Sequence, residues 1–311
     1  MKRSTRIKAG WLLLLVLLMG LDLLSGNGFH LPHGPIFWNL RLPRMLTAVV
    51  AGAAMALSGA QMQAIFRNPL ADPHIMGVSG GAGLGAAIAA MALSSTMGSV
   101  SLVGSAFLGA LLTGLVIVAV SARVQQTGTL LLVGVMLGFV LSALSSILQY
   151  AAGEESLKLF YNWMAGSFST VSYSGLAWMS GALLLGLFLA LADMKGLDLV
   201  LFGDDYARFS GVGLRGLRLR CMLGCALMTG AVTAFCGPIG FVGIAAPHLM
   251  RRTLGTSAHR CILPWSLVGG ACLTLAGDIL AHAGPTPLPV GSTLALVGIP
   301  LILILLWRNR L

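Results

Sequence analysis

The chain has 311 residues, 57% of them hydrophobic and 9% charged, with a mean hydropathy of +0.92 and a formal charge of +10. Soluble domains carry about 25% charged residues, so this composition excludes a freely soluble globular protein and requires lipid over much of the surface. A bilayer crossing takes roughly 20 apolar residues, which leaves room for about eight to eleven crossings. The longest polar run, 193–220, is too short for a separate soluble domain, so residues 1–311 read as a single transmembrane domain.

The N-terminus, MKRSTRIKAGWLLLLVLLMGLDLLSG, has the basic, apolar, small-residue order of a secretory leader. Nine leucines between Leu12 and Leu24, at about −0.5 kcal/mol each, outweigh about +3 kcal/mol for one central aspartate, Asp22. With the rest of the chain itself apolar, an uncleaved first span is the favoured reading. Apolar runs predict helices near 10–26, 45–65, 76–93, 100–122, 128–150, 172–192, 219–236, 243–254, 262–282 and 291–307. After the second of these, RNPLADPHIMGVSGGAGLGA (67–86) places two charges and two prolines in an otherwise apolar setting. Irregular backbone at membrane depth is tolerated only where protein buries it or water lines it. The segment is therefore expected to fold back at the inner face beside a polar pathway, with the amides of His74 to Ser79 turned toward it; a plain turn between spans is the alternative. Residues 153–169 predict a short helix at the outer surface, with Phe160, Tyr161 and Trp163 at the lipid interface.

A second broken segment, CGPIGFVGIAAPHLMRR, covers 236–252. Its Pro-His-Leu-Met (247–250) echoes Pro-His-Ile-Met (73–76), and ALSGA (56–60) parallels AFCGP (234–238). Five spans in each half would run in opposite directions, the pattern of inverted repeats with broken helices at corresponding places. With the N-terminus inside, sixteen of the nineteen basic residues fall on the inner side; Arg41, Arg44 and Lys158 fall outside. That asymmetry sets the orientation and accounts for the positive charge without nucleic acid. Gly52-x3-Ala56, Gly81-x3-Gly85 and Gly134-x3-Gly138 place small residues at the spacing that lets membrane helices approach closely.

Catalytic signatures are missing from the sequence. No lysine follows a glycine, so there is no phosphate-gripping P-loop, and GAGLGA (81–86) has no strand before it. There is no HExxH, and the six histidines (His30, His33, His74, His248, His259, His282) lack metal-ligand spacing. The five cysteines form no CxxC pair; Cys221 and Cys225 share a helical face, where small-residue packing is the plainer role. Asp22, Asp72 and Asp278 are intramembrane acids of the kind that couple transport to ions, although they stand isolated in sequence and two of them could cap broken helices. An ion-gradient-driven secondary transporter is accordingly the alternative function. It predicts transport without ATP and dependence on those acids. A membrane scaffold that moves no solute is a third class, against which the glycine-lined broken helices argue.

In order, RNPLADPHIMGVSGGAGLGA, GDDYARFSGVGLRGLRLR, GPIGFVGIAAPHLMRR, the His259-Arg260 pair and PLPVGSTLALVGIPLILILL resemble the permease subunits of iron-siderophore, haem and cobalamin ABC importers, from about Arg41 to the C-terminus. The resemblance implies an all-α polytopic fold of about ten transmembrane helices, a compact bundle of two inverted five-helix repeats in a bacterial inner membrane with both termini cytoplasmic. It also implies a homodimer, two separate ATP-binding subunits, an extracytoplasmic binding protein, and no cofactor in this chain, ATP being bound by the partner. Arg41 and Arg44 match arginines that dock the binding protein, and His282 stands where the family has a third. Asn68 and Leu70 match a cytoplasmic constriction, with Thr127 and Gly128 at its companion. Gly128, lacking the side chain common there, implies a looser gate. The loop 203–216 resembles the coupling helix that engages the ATPase, with Gly203, Asp204 and Asp205 starting it, Ala207 and Val212 within it, and Gly211 and Gly213 turning back. Arg215, Arg218 and Arg220 are expected to be anchors. An iron chelate is the leading substrate class.

Overall fold

The computed structural model describes residues 2–26, 34–92, 98–124, 126–284 and 286–307. The described residues form thirteen α-helices and no strand: α1 (Lys2–Leu24), α2 (Leu42–Phe66), α3 (Val78–Ala92), α4 (Gly98–Ser121), α5 (Thr127–Tyr150), α6 (Glu154–Ala165), α7 (Tyr173–Ala192), α8 (Met194–Val200), α9 (Asp204–Phe209), α10 (Leu214–Cys236), α11 (Val242–Leu254), α12 (His259–Ala281) and α13 (Val290–Trp307). A π-helical turn, Phe37–Arg41, runs directly into α2, and a 3₁₀ turn, Pro73–Met76, precedes α3. Each of the ten predicted runs has its helix. Seven are long and apolar enough to cross a membrane by themselves. His30, His33, Arg308 and Arg310 lie outside the described residues.

The centre of the bundle is α2, whose sequence is dominated by Ala, Gly, Ser and Met and which is buried almost all round. Such a helix is a core element rather than a lipid-facing one. Pro43 sits in its first turn, where a missing N–H leaves no bond unmade. Close approach depends on glycine. A Cβ added at Gly52 would lie 2.3 Å from the Gly270 carbonyl oxygen of α12, and one at Gly59 would lie 1.9 Å from that of Gly243 on α11.

The packing has an internal symmetry. Where α2 lies on α12, α10 lies on α4; where α3 lies on α4 and α5, α11 lies on α12 and α13. These pairs relate α2–α5 to α10–α13 as two repeats, while α1 lies on α12 and α7 on α10 and α2. The sequence echo that suggested the repeats is out of register, however. Pro73–Met76 forms a turn before α3, whereas Pro247 lies inside α11. The corresponding positions are instead Gly77 and Phe241, each left-handed and each immediately before its helix. ALSGA likewise lies within α2, while AFCGP ends α10.

The aromatic prediction for 153–169 needs correction. The segment does form a helix, α6, but Phe160 is buried and the Trp163 indole N–H donates to the Ala234 carbonyl at 3.1 Å, leaving Tyr161 as the exposed ring of the three. The tryptophan's polar handle finds its acceptor at the end of α10 rather than at the lipid surface.

Candidate functional site

The two broken segments meet inside the bundle. At the end of α2, Arg67 takes a left-handed conformation (φ 49°), and the amides of Arg67 and Asn68 bond back to Ala64 O and Gln63 O. That pairing is a Schellman cap, here with arginine in the position glycine usually fills. Asn68 Oδ1 then accepts from the Leu70 amide at 2.9 Å, and Asp72 Oδ1 accepts from the His74 amide at 2.8 Å. Asp72 and Pro73 lie beside Gly243, which also faces the Met55 carbonyl. Met55 is eleven residues back from Phe66, or about 16 Å along α2. The segment therefore does more than turn at the helix end. It climbs back to the depth of mid-α2, with Arg67, Pro69 and Leu70 exposed and Ala71 to Pro73 buried.

From the opposite end, 237–241 reaches the same place. His74 Nε2–H donates to Ile239 O, and the Ser79 hydroxyl donates to His74 Nδ1. Phe241, like Arg67, has positive φ (69°), and they are the only non-glycine residues to do so among those described. Strain of this kind persists where surrounding packing over-determines it. Because both lead-ins penetrate so far, α3 and α11 are short; the thirteen residues of α11 span about 20 Å. Gln63 ties the junction further. Its amide donates to Gly243 O (3.1 Å) and Ile244 O (3.3 Å) while Arg251 donates to its oxygen. No sequence signal marked Gln63.

The four residues expected at the gate lie at helix ends. Asn68 and Leu70 follow α2, and Thr127 and Gly128 open α5, a helix in contact with α2. Gly128 is exposed with nothing within 4 Å of an added Cβ, so the site has room for the side chain it lacks.

The residues expected to dock a binding protein divide. Arg41 is half-buried and donates to the carbonyls of Leu23, Ser25 and Gly26, capping the end of α1. Arg44 is buried: its guanidinium pairs with Asp278 (3.0 Å) and Asp22 (3.8 Å) and donates to Ser25 Oγ (2.8 Å). Both acids are fully buried, and His282 lies 3.4 Å from the Asp278 carboxylate. This corrects two expectations. Arg44 does not present itself to an outside protein, and Asp22 and Asp278 are not isolated but joined across α1, α2 and α12. Asp22 also lies two residues from the end of α1, not at its centre. The signal was available as an arginine and two apolar-context acids of opposite charge, but their meeting is a tertiary fact.

At the opposite end of α10, Gly203 (φ 115°) and Asp204 start α9, and Ala207 is buried beneath it, its carbonyl accepting from Val212 N at 2.9 Å. Asp205 is exposed, whereas Asp204 is held by Arg218 at 2.6 Å. Arg220 grips Asp193 through two bonds of 2.5 and 2.8 Å, and Asp198 accepts from the His259 amide (2.8 Å), tying α8 to α12. Gly211 needs its positive φ of 83°; Gly213, at φ −73°, does not require glycine. Phe202, Tyr206 and Phe209 are exposed along this face. Gly211→Val should strain the turn by about 1–2 kcal/mol without touching the bundle. The expected result is a folded protein whose stability falls by no more than that strain, with ATP-driven uptake lost; uptake at the wild-type rate would remove the coupling role.

Two repeats whose discontinuous helices meet inside the bundle are the arrangement found in membrane transport permeases. The chain belongs to the FecCD transport family, whose model matches residues 13–308, and is the permease subunit of a type II ABC importer. It is 35% identical over 323 residues to the hemin transport system permease protein HmuU of Yersinia pestis, covering 98% of this chain and 96% of that one. Against the vitamin B12 import system permease protein BtuC of Klebsiella pneumoniae it is 36% identical over 318 residues, covering 99% and 96%. A solved structure of a metal-chelate type ABC transporter in an inward-facing conformation matches with a TM-score of 0.89 at 32% identity, covering 98% and 99%. PsaBC from Streptococcus pneumoniae, at 16% identity and a TM-score of 0.59, shares the fold.

Proposed function

We propose that two copies of this chain form a central pathway through which a large metal chelate, an iron chelate such as haem or a ferric siderophore before a corrinoid, moves into the cell. The observation that carries this reading is the junction at His74 and Ile239, where two discontinuous helices end inside the protein and leave a non-helical crossing for gates to act on. The chain supplies a path and carries no cofactor; ATP chemistry belongs to two partner ATPases that engage Gly203 to Val212 through Asp205, Gly211 and the aromatic face. Asn68, Leu70, Thr127 and Gly128 narrow the cytoplasmic exit. Both termini lie in the cytoplasm, and Arg41 with His282 meets acidic residues of an extracytoplasmic binding protein. Arg41→Glu should weaken that docking severalfold at low salt and less at high salt, where exposed charges are screened. Docking that ignores the substitution at low salt leaves Arg41 as a helix cap only.

The test is uptake into proteoliposomes holding this chain, its ATPase and its binding protein, with haem, a ferric siderophore and cobalamin offered in parallel, with and without ATP. ATP-dependent entry of an iron chelate is the expected outcome. Entry that ignores ATP but follows an imposed ion gradient would move the mechanism to the Asp22–Arg44–Asp278 cluster.

A further inference from the structure

One cavity outside the pathway has a composition that the transport reading leaves unused. It is a half-open cleft of about 350 Å³ between the α4–α5 connection and the start of α10, lined by Arg123, Arg208, Arg215 and Arg218, and none of its described lining residues carries a carboxylate. Arg218 is already engaged by Asp204. Arg123, Arg208 and Arg215 are exposed, and no ion pair to an acid is formed by any of them among the described residues. The cavity also takes in Gly213, Leu214 and Gly216, the first turn of α10, whose N-cap glycine offers no side-chain acceptor to the free amides. A helix N-terminus attracts anions through those amides and its dipole, and Arg123, Arg208 and Arg215 line the same space. The arginine fork suits phosphate oxygens in particular.

We propose that this cavity binds the phosphate of an anionic phospholipid of the cytoplasmic leaflet. The depth favours a lipid as the source. The walls are Ser121 with the residues that follow it and the first turns of α10, the ends of two helices long and apolar enough to cross a membrane, and basic pockets between helices on the cytoplasmic side suit such headgroups. The site rests on the cytoplasmic orientation given under Proposed function. Its position gives it a role there, because the bound phosphate would bridge the loop leading to Thr127 with Arg208 on the coupling helix.

The test is native mass spectrometry of the full permease with its ATPase, titrated with dioctanoyl phosphatidylglycerol, dioctanoyl phosphatidylcholine and inorganic phosphate. Phosphatidylglycerol should bind at least about tenfold more tightly than phosphatidylcholine, with the preference shrinking as salt rises. Combined Arg123→Gln, Arg208→Gln and Arg215→Gln should abolish that preference, and the three Arg→Lys changes should keep it within about threefold, which also checks that the fold survives. Equal binding of the two lipids, or an unchanged preference in the glutamine variant, overturns the site. Displacement of the lipid by inorganic phosphate at similar concentration overturns the lipid assignment in favour of a soluble phosphate. Binding is read without transport, so a failure of the uptake reading leaves this result standing by itself.

Discussion

Arg44→Ala should cost about 3–5 kcal/mol of stability, the penalty for removing one partner of a buried ionic cluster. The reason lies in the charge count. Two fully buried carboxylates share one guanidinium, and, among the described residues, Arg44 is the one arginine or lysine that pairs with either of them. Removing Arg44 leaves both acids buried, with the His282 imidazole 3.4 Å from the Asp278 carboxylate as the remaining basic side chain paired with them among the described residues. The same change frees α1, which is otherwise mostly exposed and held chiefly along α12. Denaturant unfolding of the detergent-solubilised chain checks this. A second variant separates charge from packing: Arg44→Met combined with Asp22→Asn and Asp278→Asn should recover most of the loss, since replacing a whole buried ionic group by neutral residues is often close to neutral. If Arg44→Ala unfolds like the wild type while binding-protein docking falls, Arg44 is a docking residue after all and the cluster contributes nothing.

Gly59→Ala should be among the most damaging single-methyl additions at the described glycines. The added carbon would lie 1.9 Å from Gly243 O and 2.6 Å from Gly243 Cα, backbone atoms that cannot rotate away. The helices α2 and α11 would have to separate, and they separate at the point where Gln63 bonds to Gly243 and Ile244 and where Pro73 packs beside Gly243. Overpacking a tight core costs about 1–3 kcal/mol, and more where the backbone must shift; the upper end or failure to fold is expected here. Gly104→Ala is the control. It lies exposed on α4 with nothing within 4 Å of an added Cβ, and a helical glycine replaced by alanine should gain up to about 1 kcal/mol. Thermal unfolding of the two variants side by side decides the matter, and equal melting would mean the α2–α11 contact is looser than its geometry implies.

The two breaks show how far a local reading carries. Proline at 69 and 73, glycine at 77, and glycines at 237 and 240 announce that α2 and α10 cannot continue, because those residues remove donors or favour backbone that helices do not use. An odd number of spans per half also implies the inverted arrangement. What neighbouring residues could not reveal was the depth of each lead-in. That depth depends on Gly243 lying against Pro73 and on His74 reaching Ile239, contacts between positions more than 160 apart. The Pro-His echo misplaced the register for the same reason, since a short motif says nothing about which turn of its own helix it occupies.

For this protein, the sequence alone determined the membrane class, the ten apolar runs, the helix at 204 and the family. Those properties are set by hydrophobicity, length and motif order, which are read along the chain. Only the tertiary structure decided that Arg44 is buried between Asp22 and Asp278, that Phe160 and Trp163 turn inward, that Asp204 is held by Arg218, and that Arg123, Arg208 and Arg215 line one cavity. Each of these depends on which helix face meets which, and in a chain this apolar the binary pattern barely distinguishes a face toward lipid from a face toward protein.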